Sequence, residues 1–438
     1  MQLDVGRAFA CKITRRGTWL GLGKDPGRCA SLVGHIGSPC TFCDALALDF
    51  YRDILTISFG KAAWPMAQAL VETLAPDFRT HGIAVANTLP PSTLTGFTTF
   101  VAGHPYPDDE SQKAAEAILA ALTDADERTL VFFLISGGGS ALVEKPLPGL
   151  TLSDVQAVHR LLVNCGARID EMNAIRKHLS AVKGGRLALA APQAQAVTIL
   201  LSDVPEGQLA TVASGPTLPD PSTVEDCYHL AARYRLTAEF PASLRRLFDE
   251  RKLAETPKAD ASVFARGRTF LLLSSRDLLH AAHRAAEVHG FHSECDMSCD
   301  DWELPRAADY LFARFRALQQ QAQGRPVCLI SGGELSAPVT GSGQGGRNQA
   351  FVLYAVPKIA GENVAVLSAG TDGIDGNSPA AGAVADGETL ARARAQGMDP
   401  ADYFDRSDSY RFFDVLGDTL LTGPQPANLR DLRLLLAR

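Results

Sequence analysis

The chain has no excess of positive charge: 42 lysines and arginines stand against 49 aspartates and glutamates, a formal net charge of −7. Attraction to nucleic acid or to an anionic membrane needs a basic face, so neither is expected as the main partner. No apolar run approaches the roughly 18 residues of a membrane span. The first stretch carries Asp4 and scattered Arg and Lys with no unbroken apolar core, so no secretory leader is expected and the protein reads as cytoplasmic. Nine cysteines in 438 residues do not make a secreted disulfide scaffold.

Several catalytic signatures are also missing. Gly60-Lys61 lacks the upstream glycine and the following hydroxyl residue of a Walker-type phosphate loop. Neither a His-Arg-Asp nor an Asp-Phe-Gly set of protein kinases occurs. The loop at Gly137 has Gly139 but Leu142 where a dinucleotide fingerprint needs its third glycine. Gly341-Ser-Gly-Gln-Gly-Gly346 comes nearer, yet it follows a proline-containing Thr-Val segment rather than a buried first strand.

What is present is a repeated device. The buried-strand run Leu130–Ile135 leads into Ser136-Gly137-Gly138-Gly139-Ser140, and Val327–Ile330 leads into another Ser-Gly-Gly turn before Glu334. Glycine-rich turns leaving strand ends are where open α/β sheets hold anions, although such turns also serve packing alone. Further strands are expected at Asp53–Phe59, Gly82–Ala86, Thr98–Ala102, Ala196–Leu201, Phe270–Ser274 and Val364–Ser368. Helical patterns separate them, with an acidic first turn after Pro107 and a cap at Thr151. Strands alternating with helices predict an α/β protein with mainly parallel sheets in both halves.

Candidate chemistry gathers at the strand ends. Lys61 and Arg347 each stand where a glycine turn opens a helix, a position the macrodipole disfavours for a cation by up to about 1 kcal/mol. That placement makes sense if an anion sits there, and Arg347 suits phosphate oxygens in a bidentate grip. Gly345 and Gly346 precede it and Asn348 follows, so this turn reads as a second phosphate or substrate contact. Asp203, Glu334 and Asp372 are carboxylates at other strand ends, the hard oxygen donors a Mg2+–nucleotide site uses. Asx-turn and capping duty is the alternative for each of them. His104 and His178 are acid–base candidates, with packing the commoner role for such histidines. Cys40-Thr-Phe-Cys43 has the spacing of half a zinc knuckle, but without a matching second pair no metal is expected there.

The same stretches resemble the glycerate 2-kinase family. Ser58-Phe-Gly-Lys-Ala-Ala63, Gly103-His-Pro-Tyr-Pro107, Ile135–Leu142, Asn173–Ser180, Lys183–Ala188, Leu201-Ser-Asp-Val-Pro205, Ala213–Thr217, Gly345-Gly-Arg-Asn-Gln349 and Gly370–Gly376 carry the likeness in order. The resemblance implies two α/β domains with the active site in the cleft between them. It divides the chain into residues 46–245, a Rossmann-like kinase domain, and 246–438, a C-terminal module of the type named MOFRL. Residues 1–45 do not resemble the family and are expected to be an irregular leader that can be removed with little loss. The implied reaction is ATP- and Mg2+-dependent phosphorylation of the 2-hydroxyl of D-glycerate by a monomer or homodimer. The family's functional lysine and arginine fall on Lys61 and Arg347. Departures are Ala350, where the family usually has Glu, and Thr422-Gly-Pro-Gln-Pro-Ala-Asn428 in place of its Thr-Gly-Pro-Thr-x-Thr-Asn stretch. Two alternatives stand beside the kinase reading: an NAD(P)H-dependent hydroxypyruvate reductase, a label some family members once bore, and a non-catalytic small-acid binding protein.

Overall fold

The computed structural model describes residues 4–23, 44–204 and 207–438. Cys40, Cys43, Pro205 and Glu206 lie outside the described residues, and so does the question of metal at the two cysteines. The chain divides into two compact units, Met1–Leu272 and Leu273–Arg438.

The first unit begins with order where an irregular leader was expected. The helix Val5–Lys12 is capped by Asp4, whose carboxylate accepts from the Arg7 amide at 3.0 Å. Strands β1 (Ile13–Arg16), β2 (Trp19–Leu22) and β3 (Asp44–Ala47) follow as an antiparallel sheet. Val5, Phe9, Ile13, Leu20 and Leu22 are buried, and the helix packs on the helix Ala63–Leu74. The elements are only four to eight residues long, too short to show a period in the sequence.

The main sheet of this unit contains β4 (Asp53–Phe59), β5 (His81–Ala86), β6 (Phe97–Val101), β7 (Thr129–Ile135), β8 (Gln195–Leu201) and β9 (Gly267–Leu273), in the order β6-β5-β4-β7-β8-β9. The pairings from β6 through β8 are parallel. Every residue of β7 is buried, as a central strand covered on both faces demands. Capping boxes at Asp108 and Thr151 start the helices Asp109–Thr123 and Leu152–Asn164, as the sequence predicts.

The break between units falls later than the expected boundary after residue 245. The charged stretch there is held in the first unit: Glu255 Oε1 lies 2.8 Å from His178 Nε2, and Thr256 Oγ1 donates to Asp220 at 3.0 Å. Its irregularity reflects these tertiary bonds rather than a linker. His178 is thereby assigned to packing, its Nδ1 lying 2.8 Å from the Ala174 carbonyl.

The second unit holds β10 (His292–Asp296), β11 (Val327–Gly332), β12 (Val364–Gly370), β13 (Gly382–Asp386), β14 (Thr419–Leu420) and β15 (Asp431–Ala437), in the order β10-β11-β15-β12-β13-β14. The expectation of a mainly parallel sheet fails here. Only β10 and β11 run parallel; β15 inserts antiparallel between β11 and β12, and β13 and β14 extend the antiparallel side. The alternating burial of β15 hides Asp431, Arg433 and Leu435 on one face. Helices Leu304–Gln321 and Arg347–Ala355 supply Leu311, Phe315, Phe351 and Val352 to the core over that face. No helix among the described residues is long and apolar enough to cross a membrane.

Candidate active site

In the first unit, β5 and β6 are added to one side of β4, while β7 and β8 are added to the other. The chain therefore switches direction between β4 and β7, and such a point leaves a crevice beyond the strand C-termini. Phe59 and Ile135 are register partners at those termini, so Gly60-Lys61 and Ser136–Ser140 emerge side by side. The Lys61 amide donates to the Gly137 carbonyl at 2.9 Å, and the Ala62 amide donates to Ser136 Oγ at 3.0 Å. Ser136 is buried, so its hydroxyl ties the two turns together rather than facing a ligand. Ser140 Oγ lies 2.9 Å from Ser214 Oγ and is also engaged within the protein.

Close approach favours glycine at Gly137, and a left-handed backbone favours it at Gly138. A Cβ on Gly137 would stand 2.0 Å from Asp203 Oδ2. One on Gly138, where φ is +82°, would stand 3.2 Å from His104 Nε2 and 3.3 Å from the Lys61 side chain. Lys61, His104 and Asp203 are thus brought together on the bare backbone of the loop, from the ends of β4, β6 and β8. Burial first, and the Lys61 ammonium second, hold the His104 imidazole below its ordinary range. A histidine kept neutral beside a cation is a proton acceptor at neutral pH.

Behind this loop lies a buried charge cluster that the sequence did not single out. Lys183 donates to Glu144 Oε2, with both side chains inaccessible, and Arg176 and His159 stand close by. The Gly184 amide donates to the Ser214 carbonyl, which links the cluster to Ser140.

In the second unit the equivalent edge is formed by the C-terminal ends of β11 and β12 and the start of β15, where Gly370 pairs with Asp431. Arg347 donates to Asp431 through Nε at 2.6 Å and Nη2 at 3.1 Å, and Nη2 lies 2.9 Å from Glu334. Those bonds to Asp431, with the charges of Asp431 and Glu334, outweigh burial and raise the guanidinium's affinity for its proton. Arg430 forks onto Asp300, whose Oδ1 also accepts from the Glu334 amide at 3.0 Å. Arg433 Nη2 lies 3.3 Å from Asp431 and donates to the Gly333 carbonyl at 3.0 Å. Glu334 is therefore an anchor of this arginine network. Asp300, Arg430, Asp431 and Arg433 were missed, because β15 bears no motif and meets Arg347 only through the sheet.

The anion inferred for the start of the helix Arg347–Ala355 comes from the chain itself. Asp375 accepts from the amides of Asn348 at 3.0 Å and Gln349 at 2.8 Å. A Cβ on Gly346 would strike Asp375 Oδ1 at 2.3 Å, and one on Gly345 would strike Ser409 Oγ at 2.2 Å. These glycines admit Asp375 and Ser409 rather than forming an open phosphate cradle. Asn348 is buried, bonding Asp375 with its Nδ2 and accepting from Ser368 Oγ at 2.6 Å, which removes it from the substrate contacts expected of it. Asp372 turns an oxygen toward the Ile374 amide at 3.3 Å. Of the carboxylates expected to hold Mg2+, Asp203 belongs to the first unit, and Glu334 and Asp372 to the second. Among the described residues no three His, Cys, Asp or Glu side chains form a group able to hold a metal ion.

Comparison with known proteins agrees with this architecture. A family model described as a domain of unknown function, DUF4147, matches residues 33–249, and the MOFRL family model matches residues 327–431. The D-glycerate 2-kinase of Thermotoga maritima is 36% identical over 382 residues, covering 86% of this chain and 89% of that protein. A putative hydroxypyruvate reductase of Agrobacterium vitis is 37% identical, covering 87% of this chain and 98% of that protein. The solved structure of the Thermotoga maritima glycerate kinase matches with a TM-score of 0.80 at 36% identity, over 89% of this chain and 92% of that one. With relatives this similar spanning both of its units, the chain belongs to the glycerate 2-kinase family.

Proposed function

We propose that this protein is a glycerate 2-kinase that transfers a phosphoryl group from ATP to the 2-hydroxyl of D-glycerate, giving ADP and 2-phospho-D-glycerate. The observation that carries the reading is the meeting of Lys61, His104 and Asp203 on Gly137–Gly138 at the β4/β7 switch point. A cation, a neutral imidazole and a carboxylate on one turn can neutralise an anion and accept a proton.

In this reading the hydroxyl oxygen of glycerate forms the new bond to the γ-phosphorus, the bond to the ADP oxygen breaks, and the hydroxyl proton passes to His104 Nε2. Lys61 holds the anion that reacts there, and the backbone of Gly137–Gly139 lets that anion approach closely. In the second unit Arg347, oriented by Asp431, is the cation proposed to bind phosphate charge. Such transfers need positioning and charge neutralisation more than covalent help from the protein. A Mg2+ ion brought in with the nucleotide would offset the charge of its phosphates and would need only one or two protein carboxylates. Asp203, which lies with Lys61 and His104 on the Gly137–Gly138 turn, is the carboxylate proposed to reach it, since Glu334 is committed to Arg347.

The reductase alternative is weaker on a structural ground. In a dinucleotide fold the turn after the first strand carries the glycine fingerprint. Here the turn after β4 reads Gly60-Lys61-Ala62-Ala63, with a single glycine and a lysine. Two parallel assays decide. ATP, Mg2+ and D-glycerate are expected to yield ADP and a phosphoglycerate whose 31P–1H coupling places phosphate on carbon 2. Oxidation of NADH or NADPH by hydroxypyruvate, with no ADP from the first assay, sinks the proposal.

A further inference from the structure

The second unit contains a cavity that the arrangement above does not use. It has a volume of about 460 Å3, and its walls include Pro338, Ala350, Leu353, Tyr403, Phe404 and, on its lining, Arg347. That volume lies within the roughly 300–1,000 Å3 of small-molecule sites. Arg347, Ala350 and Leu353 recur every three residues along the helix Arg347–Ala355, so they share one face and form one wall. The rings are fixed by aromatic neighbours: Phe404 packs against Tyr354 with centroids 5.6 Å apart, and Tyr403 against Phe412 at 5.5 Å. The other polar lining comes from loop backbone and from Thr340, Asp405, Ser407 and Ser409.

The chemistry of the walls chooses between the two reactants of a kinase. Glycerate is a three-carbon hydroxy acid with almost no apolar surface, and burying it among Leu, Ala, Tyr and Phe would desolvate its polar groups without replacing their hydrogen bonds. A nucleotide has a flat aromatic base at one end and anionic phosphates at the other. The cavity suits the base end of that molecule, with aromatic and aliphatic walls, and Arg347 is among its lining residues. Asp431 takes the Nε and Nη2 edge of Arg347, and Glu334 lies 2.9 Å from Nη2, so these contacts of the guanidinium fall on Nε and Nη2. Ala350 keeps that wall apolar.

We propose that this cavity receives the adenine and ribose of the phosphoryl donor, with the donor's phosphates at Arg347. The proposal rests on the kinase reading and adds to it the place of the nucleoside, which no motif of the chain specifies.

The test is calorimetric titration of the full chain with ADP, with inorganic tripolyphosphate and with D-glycerate, for the wild type, Ala350→Phe and Phe404→Ala. Ala350→Phe fills the cavity and Phe404→Ala strips an aromatic wall. Both are expected to weaken ADP binding tenfold or more while changing tripolyphosphate and D-glycerate affinity less than twofold. ADP affinity unchanged in both folded variants overturns the cavity assignment, and the kinase reading survives if turnover persists. A wild type that binds D-glycerate but no adenine nucleotide overturns both. Photolabelling of the wild type with 8-azido-ATP gives a readout independent of variant folding. Label in peptides spanning 337–353 or 400–409 is expected, and label confined to peptides of the first unit overturns the assignment.

Discussion

Asp431 receives two hydrogen bonds from Arg347, at 2.6 Å from Nε and 3.1 Å from Nη2, while being only 1% exposed itself. Arg347 is thus a positioned group and a structural counter-ion at once. Reading it only as a cation misplaced against a helix dipole predicts that its removal leaves stability untouched or improved. The structure reverses that expectation. Arg347→Ala leaves a buried carboxylate with Arg433 as its remaining close partner, and the expected loss is about 1–2 kcal/mol, discounted because Arg347 is a third exposed. The same variant is expected to lower kcat/KM roughly 100- to 10,000-fold. Arg347→Lys recovers little of either, since one ammonium cannot span two carboxylate oxygens. Kinetics beside urea melts check both losses. Full turnover per folded molecule in Arg347→Ala would make the residue purely structural.

Asp375 gives a pH signature to the second unit. Burial, helped by the charge of Asp431, pushes its carboxyl up to about 6 despite opposing hydrogen bonds from Gln349 and Asn348. The folded state then keeps this proton to a higher pH than the unfolded chain, whose carboxyl titrates near 3.8. Between those values the folded state binds more protons, so this group's contribution to stability declines as pH rises from about 4 to about 6 and is flat above. Asp375→Asn removes the slope. Denaturant midpoints for both proteins between pH 4 and 8 should converge or cross over that interval; parallel curves would refute the assignment.

His104 sets the expected pH–rate profile. Its imidazole is held below the ordinary range, so the acid limb of kcat/KM should fall below pH 6.5 rather than at it. His104→Gln should abolish that limb and cost roughly 100-fold in rate. Removing the neighbouring positive charge with Lys61→Met should shift the limb upward in whatever activity remains, because Lys61 contributes to the depression. An unshifted limb in Lys61→Met would separate the two residues functionally.

The segment before β4 is expected to be indispensable. Phe9 is 1% exposed, and Arg15 donates to the carbonyls of Thr73 at 3.1 Å and Ala75 at 3.0 Å, closing the C-terminal end of the helix Ala63–Leu74. Deleting residues 1–23 uncovers that helix, whose N-terminal end follows Lys61. The truncated protein should be insoluble or melt many degrees lower. A soluble, active truncation with an unchanged melt would restore the dispensable leader.

What the sequence reveals follows from the range of the interactions involved. β4, β7 and the turns after them were legible because a buried parallel strand is a continuous apolar run and a close backbone approach demands glycine. Lys61 was legible because it sits in such a turn. Asp203 and His104 could be noticed singly, but their convergence depends on strand order. Asp431 is 84 residues from Arg347 in the chain and reaches it only because β15 inserts between β11 and β12. Asp375 caps the helix Arg347–Ala355 from 26 and 27 residues away, where a local cap would announce itself at three. The mixed second sheet escaped for the same reason: strand direction is set by pairing partners, and alternating elements suggest parallel crossovers by default.

The Glu144–Lys183 pair supplies the sharpest test of how the first unit holds its loop. Both side chains are inaccessible, and burial depresses the lysine's affinity for its proton while the carboxylate opposes that. Breaking one half of such a pair leaves an uncompensated buried charge, at a cost of about 3–5 kcal/mol, whereas replacing both halves can be nearly neutral. Lys183→Met is therefore expected to be severely destabilised, and Glu144→Gln with Lys183→Met to recover most of the loss. The recovered double variant then isolates the effect on catalysis. Glu144 follows the short helix Gly139–Leu142, and Lys183 precedes Gly184, whose amide holds Ser214 against Ser140. If the pair braces the glycine loop, the stable double variant should still lose roughly tenfold or more in kcat with KM for D-glycerate nearly unchanged. A double variant as active as the wild type would confine Glu144 and Lys183 to folding, and the loop would owe its shape to Ser136, Ser140 and the glycines alone.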